Sequence, residues 1–283
     1  MTIELSQVLD GYEDIDWKLL EPMLREHEAK FDIYKLEKDF LLTIILIYLG
    51  KHHPELIFKG GTCLNKIYYD YYRLSEDLDF VVIGNLGKNP RRRLLEQYKQ
   101  LFSSDMFKNI GLTLSGEQTK YNTYRQGRFK FLYNSFIDNS PQMIKIDIRF
   151  EPILLLAPIS KNIRAIFKHP IFENIFFQNH TIQVMDLNEI FAEKTRAALT
   201  REYPAIRDFF DVWYARERGF EFESIRPLIC QKIGDLAYTI DDAFDILQQQ
   251  IKTELDPVLN SEQRGKFTLK EIYDFILTFK KDA

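Results

Sequence analysis

A glycine turn, followed closely by two aspartates, is the feature that most constrains how this chain of 283 residues can fold. The apolar segment 56–59 predicts a short strand, Gly60 and Gly61 predict a turn, and residues 62–71 predict a helix. A second strand is predicted directly afterwards, and it begins with Asp77 and Asp79. Because successive strand side chains point to opposite faces, these two carboxylates share one face. The order of elements predicts a mixed α/β or α+β core.

This arrangement also predicts a chemistry. Two carboxylates on one face can hold a divalent metal through oxygen ligands, as Mg²⁺ on a nucleotide requires. A glycine turn that opens a helix offers backbone N–H groups to a phosphate. Thr62 could cap that helix or donate to a phosphate, and Ser75 could cap a turn or contact a phosphate. Each feature alone also fits a plain turn with positive φ or a turn cap, and it is their order that favours nucleotidyl or phosphoryl transfer.

A third carboxylate lies on the clearest alternating strand of the sequence, residues 143–150. Its apolar face carries Ile144, Ile146, Ile148 and Phe150, and its polar face carries Lys145, Asp147 and Arg149. If this strand neighbours the strand of Asp79, three carboxylates converge on one surface and could hold two Mg²⁺ ions. The alternative is that Asp147 only pairs with Lys145 and Arg149 on an exposed face.

After about residue 185 the pattern becomes helical, so we predict a mixed-sheet domain over 1–185, with N-terminal helices within 16–51, and a helical domain over 186–283. Asp186 is a predicted N-cap, with Glu189 at the capping-box position. Lys194 and Asp211 are charged residues in an apolar setting. A buried Lys–Asp pair or a lysine directed at a triphosphate would fit, and solvated helix charges are the alternative.

Composition limits the other possibilities. The net charge of −4 does not indicate a nucleic-acid partner, and binding of such a partner would require a local basic patch. Cys63 and Cys230 have no metal-ligand spacing and fit a reducing compartment. The first residues lack a basic segment followed by an apolar one, so we expect no signal peptide, and the most apolar run, 40–49, is too short for a membrane span. We therefore expect a cytoplasmic protein without a membrane partner.

With these residues identified, the chain resembles the AbiEii/AbiGii toxin family, which comprises minimal nucleotidyltransferases of bacterial toxin–antitoxin and abortive-infection systems. The matching segments occur in the family's order between about residues 40 and 215. They are Lys59-Gly60-Gly61-Thr62-Cys63-Leu64-Asn65-Lys66, Arg73-Leu74-Ser75-Glu76-Asp77-Leu78-Asp79-Phe80, Lys145-Ile146-Asp147-Ile148, Glu189-Ile190-Phe191-Ala192-Glu193-Lys194 and Arg207-Asp208-Phe209-Phe210-Asp211.

The resemblance implies a DNA polymerase β-like nucleotidyltransferase core with a mixed sheet, followed by a C-terminal helical bundle that contributes Lys194 and Asp211 to the active site. It implies Mg²⁺ or Mn²⁺ bound by Asp77, Asp79 and Asp147, with Asp147 as a third ligand or as the base. The lysine that matches Lys194 is taken to contact the nucleotide phosphates, and the aspartate that matches Asp211 is taken to orient it. The nucleotide-binding residues expected on this basis are Lys59, Gly60, Gly61, Thr62, Lys66, Ser75 and Lys194.

Related toxins transfer nucleotides to the 3′ end of tRNA. We therefore expect a toxin that moves an NMP from an NTP to an RNA, with the tRNA acceptor end as the leading candidate, and thereby blocks translation. A cognate antitoxin is the expected partner. One alternative keeps the fold but nucleotidylates a protein or a small molecule. The other is a non-catalytic binding module.

Overall fold

The structure, a computed structural model, describes residues 2–115, 124–168 and 176–280. It divides into two compact units, Met1–Met185 and Asp186–Ala283, which we call the first and second units. Strands and helices both occur in the first unit, whereas helices are the regular elements of the second unit within residues 186–280.

Seven strands form one mixed sheet within the described part of the first unit, in the order β5-β6-β7-β4-β3-β9-β8. A separate ribbon pairs β1 with β2. The strands are β1 (Thr2–Ile3), β2 (Ile15–Asp16), β3 (Ile57–Lys59), β4 (Asp77–Ile83), β5 (Thr113–Leu114), β6 (Gln126–Asn134), β7 (Pro141–Glu151), β8 (Ile159–Asn162) and β9 (Thr181–Val184).

The longest helix of the first unit is buried over most of its length, as its apolar sequence predicts. Asp32 caps this helix by accepting a hydrogen bond from the backbone N–H of Lys35. The helices of this unit are α1 (Trp17–Arg25), α2 (Ile33–His52), α3 (Gly60–Cys63), which continues as a π-helical turn (Leu64–Tyr68), α4 (Lys88–Phe102) and α5 (Asp105–Asn109). The predicted helices within 16–51 are thus confirmed, with shifted ends.

The register at the centre of the sheet brings the predicted carboxylates together. Strand β4 runs parallel to β7, so that Asp77 lies beside Lys145 and Asp79 lies beside Asp147. The alternation along β7 is confirmed, because Ile144 and Ile146 are fully buried whereas Asp147 is partly exposed. The two strands are therefore neighbours, which is the condition on which the predicted carboxylate cluster depends.

Two details of the first unit differ from the prediction. The helix after β3 begins at Gly60 rather than at Thr62, and its π-helical turn ends at Tyr68 rather than near residue 71. Strands β8 and β9 were not predicted, because four residues of mixed polarity give no clear alternation. Strand β9 nevertheless extends the sheet by pairing in parallel with β3.

The second unit follows the predicted helical pattern in its first half. Asp186 caps the first helix by accepting from the N–H of Asn188 at 2.8 Å. The predicted capping-box carboxylate, Glu189, instead lies 2.6 Å from Lys232 Nζ. The helices are α6 (Leu187–Thr200), α7 (Ile206–Glu217), α8 (Arg226–Ile233), α9 (Phe244–Gln250) and α10 (Leu269–Leu277). Before and after α9 the chain forms a 3₁₀ turn (Ile240–Asp242) and a π-helical turn (Ile251–Leu255).

Candidate active site

Gly60 lies directly against the carboxylate of Asp79. Its φ of +80° is in the left-handed region, and a Cβ at this position would lie 2.4 Å from Asp79 Oδ2. Both the backbone conformation and the lack of space therefore require glycine. The turn between β3 and α3 thus brings its backbone into contact with one of the predicted metal ligands.

Gly61 is enclosed in a similar way by two side chains from the segment before β4. A Cβ on Gly61 would lie 2.4 Å from Arg73 Nη2 and 3.4 Å from Ser75 Oγ. Ser75 is therefore adjacent to the first turn of α3, which the sequence analysis predicts to bind a phosphate. Arg73, which is almost fully buried, was not predicted as a site residue, and the structure places its guanidinium beside the glycine turn.

The Thr62 side chain has a structural role. It is buried, and its hydroxyl donates to the backbone carbonyl of Asp77. Since a hydroxyl has a single hydrogen to donate, this bond occupies the donor that a phosphate would need. The predicted contact between the Thr62 hydroxyl and a phosphate is therefore corrected: this side chain joins α3 to the start of β4.

Lys66 also needs correction. Its side chain is fully buried, and Nζ donates to Asp39 Oδ2 at 2.8 Å, Thr43 Oγ1 at 2.8 Å and Tyr71 Oη at 2.9 Å. Burial lowers the pKa of Lys66 from its ordinary value, although Asp39 opposes this shift. All three ammonium hydrogens have acceptors inside the first unit, so Lys66 is not placed to contact a nucleotide.

The two carboxylate oxygens of Asp147 differ in their hydrogen bonding within the described residues. Its Oδ2 accepts from Gln126 Nε2 at 2.9 Å and from Arg128 Nε at 3.0 Å. Its Oδ1 is buried and has no hydrogen-bond partner among the described residues. Burial raises the pKa of Asp147 and the nearby Asp77 adds to this, while Arg128 and Gln126 oppose it.

The cation that pairs with Asp147 comes from the neighbouring strand. Arg128 faces Asp147 directly in the β6–β7 register. The alternative reading, in which Asp147 pairs with residues of its own strand, is therefore wrong about the partners, since Lys145 lies 3.9 Å from Asp77 Oδ1 and Arg149 lies 4.0 Å from Glu151 Oε1. Pairing across strands is invisible in a single-strand pattern.

The three carboxylates provide the hard oxygen donors that Mg²⁺ prefers. Across residues 2–115, 124–168 and 176–280, no group of three or more His, Cys, Asp or Glu side chains is already arranged around a metal position. The adjacent register of Asp79 and Asp147 and the unpartnered Oδ1 of Asp147 nevertheless suit a cation. Lys59 lies opposite Asp79 on β3 and is largely buried. The donor set thus fits a divalent metal in its chemistry.

Lys194 of the second unit is held by two aspartates of α7. Its Nζ lies 2.9 Å from Asp208 Oδ1 and 2.7 Å from Asp211 Oδ2, and Arg201 lies 2.9 Å from the other oxygen of Asp208. Burial alone would raise the pKa of Asp208, but Lys194 and Arg201 together hold it below its ordinary value. Of the readings offered by the sequence, the buried Lys–Asp pair is the one that the geometry bears out, with Asp208 as an additional partner.

Comparison with known proteins defines first the class and then the family. The sequence profile of the family described as "Nucleotidyl transferase AbiEii toxin, Type IV TA system" matches residues 45–272. The protein is therefore an enzyme of the nucleotidyltransferase class. It belongs to the AbiEii toxin family of type IV toxin–antitoxin systems, which confirms the resemblance seen in the sequence.

One solved structure with a TM-score above 0.5 agrees on the fold. The crystal structure of JHP933 from Helicobacter pylori is similar with a TM-score of 0.51 and 18% sequence identity, over 88% of this chain and 91% of that chain. A second H. pylori crystal structure, of a protein provisionally assigned as a nucleotidyltransferase, has a TM-score of 0.48 and 19% identity, over 87% and 92% of the two chains. No curated protein sequence matches this chain.

The family implies an NTP as substrate and an antitoxin as partner. Because the family consists of enzymes, it disfavours the non-catalytic binding module. Within the part of the chain that the structure describes, we find no helix that is long and apolar enough to cross a membrane.

Proposed function

We propose that this protein transfers an NMP from an NTP to the 3′ hydroxyl at the acceptor end of tRNA, and that it depends on Mg²⁺ or Mn²⁺. This modification would block translation in the cytoplasm, where both substrates occur. In this proposal the first unit is a DNA polymerase β-like core and the second is a helical bundle. The observation that carries it is the position of Asp147 beside Asp79, which itself lies against the glycine turn. The Oδ1 atom of Asp147 is buried and has no hydrogen-bond partner among the residues that the structure describes.

The three carboxylates supply the metal ligands and the candidate base. Asp77, Asp79 and Asp147 would hold the metal, which when bound offsets negative charge on the triphosphate and the leaving pyrophosphate. Asp147 would act either as the third metal ligand or as the base that accepts the proton of the attacking hydroxyl. The new bond joins that oxygen to the α-phosphorus, and the bond from the α-phosphorus to the pyrophosphate oxygen breaks.

The phosphates are positioned by the backbone of Gly60 and Gly61 and by Ser75, which adjoin one another. Lys59 adds positive charge on the strand next to Asp79. Thr62 and Lys66 stabilise the fold of the first unit, since the Thr62 hydroxyl and the Lys66 ammonium group already donate hydrogen bonds within it. From the family resemblance we retain Lys194 as the lysine that neutralises the phosphates and Asp211 as the residue that orients it.

The test is transfer of label from each NTP, radiolabelled at the α-phosphate, to total bacterial RNA and protein in the presence of Mg²⁺. Wild type is compared with Asp77→Asn/Asp79→Asn and with the control Asp70→Asn/Asp245→Asn, which removes the same charge from two exposed positions. We expect a labelled tRNA-sized band with wild type and the control only. Label on protein or on a small molecule, with none on RNA, would overturn the proposed acceptor and support the alternative.

A further inference from the structure

The solvent face of β6 and β7 carries an ordered series of cross-strand pairs that starts at Asp147. Arg128 faces Asp147, and the next outward pair along the two strands is Lys130 with Lys145. The pair after that is Leu132 with Met143. Since two strand residues span about 7 Å, these pairs lie about 7 and 14 Å from Asp147.

A groove with a volume of about 370 Å³ is lined by Lys145 of the lysine pair and by both members of the apolar pair, Leu132 and Met143, while Lys130 adjoins it across the strands. Asp77 lines it near the catalytic carboxylates, and Lys145 continues the lining. Lys38 and Glu76 contribute on another part of the lining, where they form an ion pair of 2.8 Å. Lys35 also forms an ion pair with Glu76, so the negative charge of this carboxylate is offset by two cations.

The lysine pair is an arrangement that does not stabilise the sheet. Like charges directly opposite on neighbouring strands repel each other and reduce stability. The nearest carboxylate to Lys145 is that of Asp77 at 3.9 Å, and Lys130 has no ion-pair partner within the described ranges. An anion bound between the two ammonium groups would remove this repulsion.

The apolar pair is equally unexpected on this face. Leu132 is 51% exposed and Met143 is 37% exposed, although both occupy outward positions at which β6 and β7, apart from Pro141 at the start of β7, otherwise carry polar residues. Both side chains line the groove. Flat, weakly polar groups such as nucleobases pack on apolar side chains of this kind.

We propose that this groove binds the 3′-terminal strand of the acceptor RNA. The 5′ phosphate of the terminal nucleotide lies between Lys130 and Lys145, and the preceding base packs on Leu132 and Met143. This order places the terminal 3′ hydroxyl at Asp147. The inference rests on the proposed function, because it names the site for that acceptor. Alternation of a cationic pair with an apolar pair matches the alternation of phosphate and base along a single strand.

The test measures binding of a short fluorescent single-stranded oligoribonucleotide with a free 3′ hydroxyl, at several salt concentrations. Lys130→Gln/Lys145→Gln should weaken binding about tenfold and reduce the slope of log K against log salt by about 0.7, since the two lysines neutralise one phosphate and each single-strand phosphate contact contributes about 0.7. The matched control Arg92→Gln/Arg93→Gln removes two exposed charges of α4 and should change neither value comparably.

A second variant separates stacking from charge. Leu132→Thr/Met143→Thr should weaken binding about fivefold and leave the salt slope unchanged, because it removes apolar contact alone. Binding of labelled NTP should stay within about twofold of wild type in both groove variants, which also shows that they are folded.

Three results would overturn the groove proposal: unchanged RNA affinity in both groove variants, an equal loss in the α4 control, or failure of wild type to bind the oligoribonucleotide. Failure of the proposed function has a different signature, which is transfer of label to protein or a small molecule rather than to RNA. A wild-type enzyme that labels tRNA while its groove variants bind RNA normally would refute the groove alone.

Discussion

Gly60→Ala tests whether the contact between the glycine turn and Asp79 sets the geometry of the site. Gly60 and Gly11 have almost the same backbone conformation, with φ of +80° and +83°. Alanine in this region costs about 1–2 kcal/mol. The surroundings differ, because a Cβ on Gly11 would meet nothing within 4 Å, whereas one on Gly60 would lie 2.4 Å from Asp79 Oδ2. Gly11→Ala is therefore a matched control for backbone strain.

The extra effect at Gly60 can be worked out from these distances. The Asp79 carboxylate must move by about 1 Å to reach an ordinary contact with the new methyl group, and a displacement of this size in a catalytic site costs about a hundredfold in rate. We expect Gly60→Ala and Gly11→Ala to lower the free energy of unfolding by a similar amount, about 1–2 kcal/mol. Only Gly60→Ala should lower kcat/KM for nucleotidyl transfer, by about a hundredfold.

The measurements are urea unfolding followed by circular dichroism and initial rates of label transfer from the preferred NTP. If Gly60→Ala folds with the expected loss and retains wild-type kcat/KM, the position of Asp79 does not govern the reaction and the reasoning is refuted. If Gly11→Ala loses activity to the same extent, the loss at Gly60 reflects strain elsewhere rather than displacement of the carboxylate.

Three further predictions concern ionisable groups. Lys66→Met should lower the free energy of unfolding by about 3–5 kcal/mol, because it leaves the buried carboxylate of Asp39 unpaired. The double variant Asp39→Leu/Lys66→Met should recover most of this lost stability and bind NTP normally. Loss of NTP binding in the stable double variant would show that Lys66 does belong to the nucleotide site. Glu76→Gln should lower the free energy of unfolding by about 2 kcal/mol. The fall in the pKa of Glu76 from 4.5 to about 2 implies roughly 3 kcal/mol, but the ion pairs are partly exposed and therefore contribute less. Because folding lowers this pKa, the loss of stability relative to wild type, measured by urea unfolding, should have its full value above about pH 4.5 and disappear as the pH approaches 2. A difference in stability that persisted near about pH 2 would show that the ion pairs are not its cause. Lys130→Gln should raise the free energy of unfolding by about 0.5 kcal/mol in the same assay by removing its repulsion from Lys145, and a loss of stability would show that the pair is not repulsive.

The sequence predicted the parts of the site that depend on local pattern. The alternation around Asp147 placed its carboxylate on the polar face, and the spacing of Asp77 and Asp79 placed them on one face. Both inferences need only the two-residue period of a strand, which a single segment contains.

The parts that the sequence could not predict depend on contacts between distant segments. Arg128 became the partner of Asp147 through the β6–β7 register, which no single-strand pattern records. Lys66 was expected to bind the nucleotide from the family resemblance, but its acceptors Asp39 and Thr43 lie on α2. Burial of a lysine is decided by what packs over it, so a motif alone could not separate the two roles.

The sheet order has a consequence for the chain during its synthesis. Strand β4, which carries Asp77 and Asp79, pairs with β7, which carries Asp147 and is made many residues later. Strand β3, which precedes the glycine turn, also pairs with β9, near the end of the first unit. A nascent chain therefore cannot complete the carboxylate cluster until β7 has left the ribosome, and the central sheet closes later still. With the tRNA acceptor proposed above, this late assembly would keep the growing chain from modifying tRNA while it is being made.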